Sequence, residues 1–118
     1  MAQPIKLHDL GALLADLAEG ATDTGLTVLD ESPHSVLSLL VVSAGDRWDG
    51  GRADGEERRV IVLEGMATFT VDNVRQSLGS GHAVAIEPGA QVLVSNEAQE
   101  PLRAVHIESP PRAKLLTD

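Results

Sequence analysis

Residues 45–65 read GDRWDGGRADGEERRVIVLEG, and the change of character along this stretch decides the fold. Its first part is polar and rich in glycine, the residue that lets a chain turn through positive φ. It then switches to the apolar run Val60–Leu63 and closes on a Leu-Glu-Gly turn. A short β-branched run between turn residues reads as a strand. A long polar loop feeding such a strand is where a small β-barrel carries its chemistry, yet no histidine or cysteine lies between Gly45 and Gly65.

Outward from this stretch, strand-length apolar runs alternate with Gly, Pro, Asn and Asp: Leu26–Leu29, Val36–Ser43, Arg59–Leu63, Ala67–Val71, Val74–Leu78, Ala83–Ile86, Gln91–Ser95 and Leu102–Ile107. Short strands at close spacing predict an all-β sandwich or barrel. Asp72-Asn73, between Val71 and Val74, suits a two-residue hairpin because both side chains tolerate positive φ. Near the start, Leu7, Leu10, Leu14, Leu17 and Ala18 recur at helical spacing, with Asp9 to cap the helix and Gly20 to stop it. Its polar face carries Asp16 and Glu19 rather than basic residues, so it reads as a packing helix over the barrel, not a membrane-surface one. The expected layout is one domain over 1–118: a helical segment at 1–24, a barrel at 25–108 and a tail at 109–118.

Composition narrows the function. The 118 residues hold no cysteine, which removes disulfides, thiolate nucleophiles and cysteine metal sites. A net charge of -9 repels phosphate backbones and anionic lipid, so nucleic acid and membrane are not expected partners. Trp48 and Phe69 are the only aromatic residues, which leaves no stacking platform for bases. With no signal-like start and no long apolar run, the expectation is a cytoplasmic protein.

From Gly45 onward the chain resembles the cupin superfamily, small jelly-roll barrels with a first motif G-x5-H-x-H-x4-E-x6-G and a second motif G-x5-P-x-G-x2-H-x3-N. Gly45 and Gly65 hold the first frame. Gly81, Gly89 and Asn96 hold the second, with Pro88 one place beyond the usual proline position at Glu87. The resemblance covers about residues 36–108. It implies a cupin-like jelly roll with one N-terminal helix, and a homodimer that covers apolar edge strands such as Val36–Val42.

The resemblance also implies where a metal would sit, since the histidines and carboxylate of these motifs converge on a divalent ion. Position by position they fall on Gly51, Ala53, Arg58 and Val92, none of which has a metal-binding side chain. Sliding the loop by one residue brings Glu57 to the carboxylate position but Arg52 and Asp54 to the histidine pair, which recovers at most two oxygen ligands. The expectation is no metal, no cofactor, and a roomier, more apolar pocket.

Four residues are expected to line that pocket: His106, Arg58, Trp48 and Val92. If Arg103 points to solvent, the period of two places Leu102, Ala104 and His106 inward, where a neutral imidazole could orient a ligand or act as a general base. The alternative leaves His106 bonded to a backbone carbonyl or outside on a subunit contact. Arg58 is either a buried cation for an anionic ligand or part of a surface-paired EERR run; its charged neighbours favour the surface, the motif frame the interior. Trp48 either closes the barrel mouth or packs under the helix. His82 reads as exposed in a turn, and a noncanonical metal site from His34, His82 and His106 stays open. Three functions fit these residues. The leading one is a metal-free sensor or carrier of a small apolar or weakly anionic metabolite. The others are a metal-independent isomerase, cyclase or lyase using His106, and a dimerisation module whose barrel is filled.

Overall fold

The structure, a computed structural model, describes residues 23–52 and 55–109. The helix expected near the N-terminus and the tail after Ser109 lie outside them. The chain forms strands β1 (Gly25–Ser32), β2 (Ser35–Val42), β3 (Arg47–Arg52), β4 (Glu57–Glu64), β5 (Met66–Val71), β6 (Val74–Gly79), β7 (Ala83–Ile86), β8 (Gln91–Ser95) and β9 (Leu102–Ser109). A five-stranded sheet in the order β1-β2-β9-β4-β7 stands against a four-stranded sheet in the order β3-β8-β5-β6. All paired strands run antiparallel.

Each expected strand is present, and β3 is added from within the polar loop. Its sequence, RWDGGR, has little intrinsic strand preference, and what makes it a strand is its pairing with β8. The Val36–Val42 run is not an edge as expected. β2 lies between β1 and β9, and the edges are β1, β7, β3 and β6. A run apolar at successive positions is what such a covered strand requires, since both faces of β2 are buried at Ser38 to Val42.

The core lies between the sheets. Leu40, Val42, Val60, Val62, Leu102 and Ala104 come from the larger sheet, and Ala67, Phe69, Leu78, Val92 and Val94 from the smaller. In β4 burial alternates strictly, with Arg58, Val60 and Val62 buried and Arg59 and Ile61 exposed. The motif glycines Gly45, Gly65, Gly81 and Gly89 all take positive φ, at 75°, 83°, 86° and 82°. At Gly65 a Cβ would also stand 2.6 Å from the Pro101 carbonyl oxygen, so this turn admits no side chain. Asp72 opens the β5–β6 hairpin at φ 52°. Asn96 is buried and ties its turn together, donating to the carbonyls of Val42 and Glu100 at 2.9 Å and accepting from the Ala98 N–H at 2.9 Å.

Candidate functional site

Arg58 belongs to the inward row of β4 and is 2% exposed, which overturns the surface placement its charged neighbours favoured. The alternation in ERRVIVLE, which sets Arg58 in phase with Val60 and Val62, was the sequence signal for this. Its guanidinium crosses from one sheet to the other. Nη1 donates to the Gly50 carbonyl at 2.8 Å, and Nη2 to the carbonyls of Gly51 at 2.9 Å and Ala90 at 2.7 Å. A bulge between Asp49 and Gly51 interrupts the β3–β8 register there, the kind of irregularity that re-aims backbone groups. Burial lowers the Arg58 pKa, opposed by Glu108 and Glu56, and a guanidinium stays charged in a protein.

The partners of that cation bear on the motif's metal positions. Gly51, at one histidine position of the motif, gives its carbonyl to Arg58, and Val92, at another, is fully buried in apolar contact. Arg58 itself stands at the carboxylate position. A guanidinium repels a divalent ion from the place where the ion's ligands would converge, so the residues present do not fit a metal. The slid register fares no better. Arg52 donates to the Gly89 carbonyl at 2.7 Å, and Glu57 pairs with Arg59 at 3.7 Å on the surface; Asp54, like Ala53, lies outside the described residues. His34 and His82 are exposed in turns remote from His106 in sequence, with His82 Nδ1 accepting from the Gly79 N–H at 2.9 Å. Among the described residues no group of three or more His, Cys, Asp or Glu is arranged to hold a metal ion.

His106 sits inside the barrel, 1% exposed, opposite Val60 on β4 and Ser38 on β2. Arg103 does not reach out to solvent as that reading assumed, since its side chain is 12% exposed and pairs with Glu64 at 2.8 Å, but it lies on the other face, so His106 still points inward. Among the described residues no backbone carbonyl satisfies the ring: Nδ1 is 3.9 Å from Glu108 Oε1, and the buried Nε2 has no hydrogen-bond partner. Burial, and then the charge of Arg58, push its pKa down to about 4, so it is neutral at neutral pH. Trp48 packs edge-on against it, with ring centroids 5.7 Å apart and planes at 81°. Gly50 lies under Trp48 so closely that a Cβ would come within 2.7 Å of its ring and 2.5 Å of Val92 Cγ1. Arg58, Trp48, Val92 and His106 are thus brought together, but as a packed cluster.

Open space lies elsewhere. A cavity of about 460 Å³ opens where the sheet edges β6 and β7 approach, over Phe69, Val71, Val84 and Ala90, with Gln76 and Glu87 at its rim. Neither His106 nor Trp48 lines it. Phe69 and Ala90 belong to the core and Val71 and Val84 pack against it, so the cleft reaches the barrel interior. The turn that forms one wall is clamped at successive residues: Arg52 holds the Gly89 carbonyl, Arg58 that of Ala90, and Asp72 the Gln91 N–H at 3.0 Å. Sequence reasoning missed this cleft because its walls meet only when the two sheets close.

No protein-family model and no curated protein matches the sequence. Solved structures do match the fold. The protein TT1209 of Thermus thermophilus aligns at a TM-score of 0.78 and 19% identity, over 90% of this chain and 98% of that one. A Cupin 2 conserved barrel domain protein from Salinispora arenicola aligns at 0.67 and 22% identity, over 99% and 96%. An RmlC-like cupin family protein with a double-stranded β-helix fold, from Methanocaldococcus jannaschii, aligns at 0.68 and 17% identity, over 82% and 89%. Strand order, glycine frame and these likenesses agree: the chain has the jelly-roll, double-stranded β-helix fold of the cupin superfamily.

Proposed function

We propose that this protein is a metal-free, non-catalytic binder of a small metabolite, a sensor or carrier, which holds its ligand in the cleft between β6 and β7. The observation that carries the reading is the cleft itself: about 460 Å³, floored by Phe69, Val71, Val84 and Ala90. Small-molecule sites have this size and pair an apolar floor with a few polar groups. The rim offers Gln76 and the carboxylate of Glu87, while Asp72 is already engaged with Gln91 and Arg52. Such a rim suits a neutral or cationic ligand with hydrogen-bond donors better than the weakly anionic one the sequence suggested.

The neutral apolar dye N-phenyl-1-naphthylamine tests this. The wild type should bind it saturably at one site, and Gln76→Trp, which fills the cleft from β6 on the face it shares with Phe69, should abolish binding. Absence of saturable binding, or binding that Gln76→Trp leaves intact, would sink the reading. The metal-free part is checked separately, because a stoichiometric transition metal in the purified protein contradicts it.

We further propose that the protein pairs with a second copy through β1. Five strands facing four leave the inward face of this edge strand without a partner among the described residues, and Leu26 and Val28 on it are 40% and 57% exposed. A two-fold axis would let the same strand meet itself. Sedimentation should show a dimer that Val28→Lys dissociates; a monomeric wild type refutes the pairing.

A further inference from the structure

Two buried nitrogens at the polar end of the barrel have no hydrogen-bond partner among the described residues, Nε of Arg58 and Nε2 of His106. Their residues are 2% and 1% exposed. They stand on neighbouring strands, with Arg58 opposite Glu108 and His106 opposite Val60, so the two side chains are diagonal neighbours on one face of the sheet. Long side chains bridge that separation. Contacts close around the pair: Arg58 holds the Gly50 carbonyl, Gly50 lies against Trp48, and Trp48 meets the His106 ring. Interiors rarely leave polar atoms unpaired, and each instance calls for an explanation.

The two atoms have different requirements. A guanidinium Nε–H can only donate. On His106, Nδ1 lies 3.9 Å from the Glu108 carboxylate. That is too long for a hydrogen bond, but the nearby negative charge favours the proton on Nδ1 and leaves Nε2 as an acceptor. One guest satisfies both atoms only if it accepts from Arg58 and donates to His106.

We infer that Arg58 and His106 form a two-point site for a single hydroxyl, supplied by water or by the alcohol group of a ligand. A fully ionised carboxylate cannot fill it, having no proton to give to Nε2. The site stands whether or not the β6–β7 cleft takes a ligand.

Crystals of the wild-type protein, one set in aqueous buffer and one soaked in ethylene glycol, test the proposal together with ¹⁵N NMR of the His106 ring. An oxygen within hydrogen-bond distance of both nitrogens, unmoved by the diol, upholds the site and assigns it to water. Replacement of that oxygen by a glycol hydroxyl upholds it and assigns it to a ligand alcohol. If no oxygen reaches both atoms in either crystal, the inference is overturned. The NMR signal should show a neutral ring protonated on Nδ1 at neutral pH; a proton on Nε2 overturns the choice of a hydroxyl over a carboxylate, because both atoms would then donate and a pure acceptor could fill the site.

Discussion

The polar end of the barrel and the β6–β7 cleft are built from the same two sheets, yet they treat space in opposite ways. At the polar end Arg58 spans the interior, binds three carbonyls and draws Trp48, Val92 and His106 into a packed cluster. In the cleft, small and β-branched residues on two unpaired edges leave about 460 Å³ open. The difference follows from side-chain reach. A guanidinium can cross a barrel and satisfy carbonyls on the far sheet, whereas Val84 and Ala90 are too short to meet across theirs. A barrel held shut at one end by a buried cation can stay open at the other without collapsing.

The contrast is most directly broken at Arg58. Arg58→Met removes the cation and leaves the carbonyls of Gly50, Gly51 and Ala90 without their donor, and should destabilise the protein by about 3–5 kcal/mol in urea denaturation. Arg58→Lys keeps the charge without the fork and should fall between. A Met variant as stable as wild type would show that the cation does not hold this end together.

His106 gives the next largest effect, through pH. Its folded pKa of about 4 lies below the ordinary 6.5, so the unfolded chain binds the proton first. Stability from this group is present above pH 6.5 and is lost as pH falls toward about 4, a change of roughly 3 kcal/mol. In His106→Gln that part of the slope should vanish from the stability-against-pH curve. Identical slopes in the two proteins would contradict a neutral, buried ring beside Arg58.

Gly50 sharpens the comparison at the level of packing. Gly50→Ala drives a methyl group against Trp48 and Val92 and should cost about 1–3 kcal/mol. At Gly51, where a Cβ meets nothing within 4 Å but φ is +61°, alanine should cost about 1 kcal/mol through backbone strain alone. Equal losses in chemical denaturation would mean that the Trp48 contact is looser than it stands. The smallest effect on stability belongs to the cleft: Gln76→Trp, at an exposed rim position, should change it by less than about 0.5 kcal/mol while abolishing dye binding. A large loss there would mean that the cleft, too, is a packed core.

Much of the polar end was legible beforehand. Alternation along Leu102–Ile107 offered the inward phase of His106 as one of two readings, and the motif frame placed Arg58 inside although the run Glu56-Glu57-Arg58-Arg59 argued otherwise. That run misled because charge predicts exposure only when no buried partner exists, and the partners of Arg58 are backbone carbonyls, which no side-chain pattern announces. Strand β3 was illegible for a related reason: its Asp-Gly-Gly sequence is turn-like alone and extended only because β8 offers a ladder.

By itself, then, the sequence determined the strand succession, the turns that require positive φ at Gly45, Gly65, Gly81 and Gly89, and the lack of ligand side chains at the motif's metal positions. These are local properties, set by backbone sterics and residue chemistry. Tertiary structure decided that Arg58 would be the barrel's own cation, that Trp48 would close on His106, and that an apolar cleft would open between β6 and β7. Those outcomes depend on groups far apart in the chain, Ala90 from Arg58 and His106 from Trp48, and only the closing of two sheets brings them within reach.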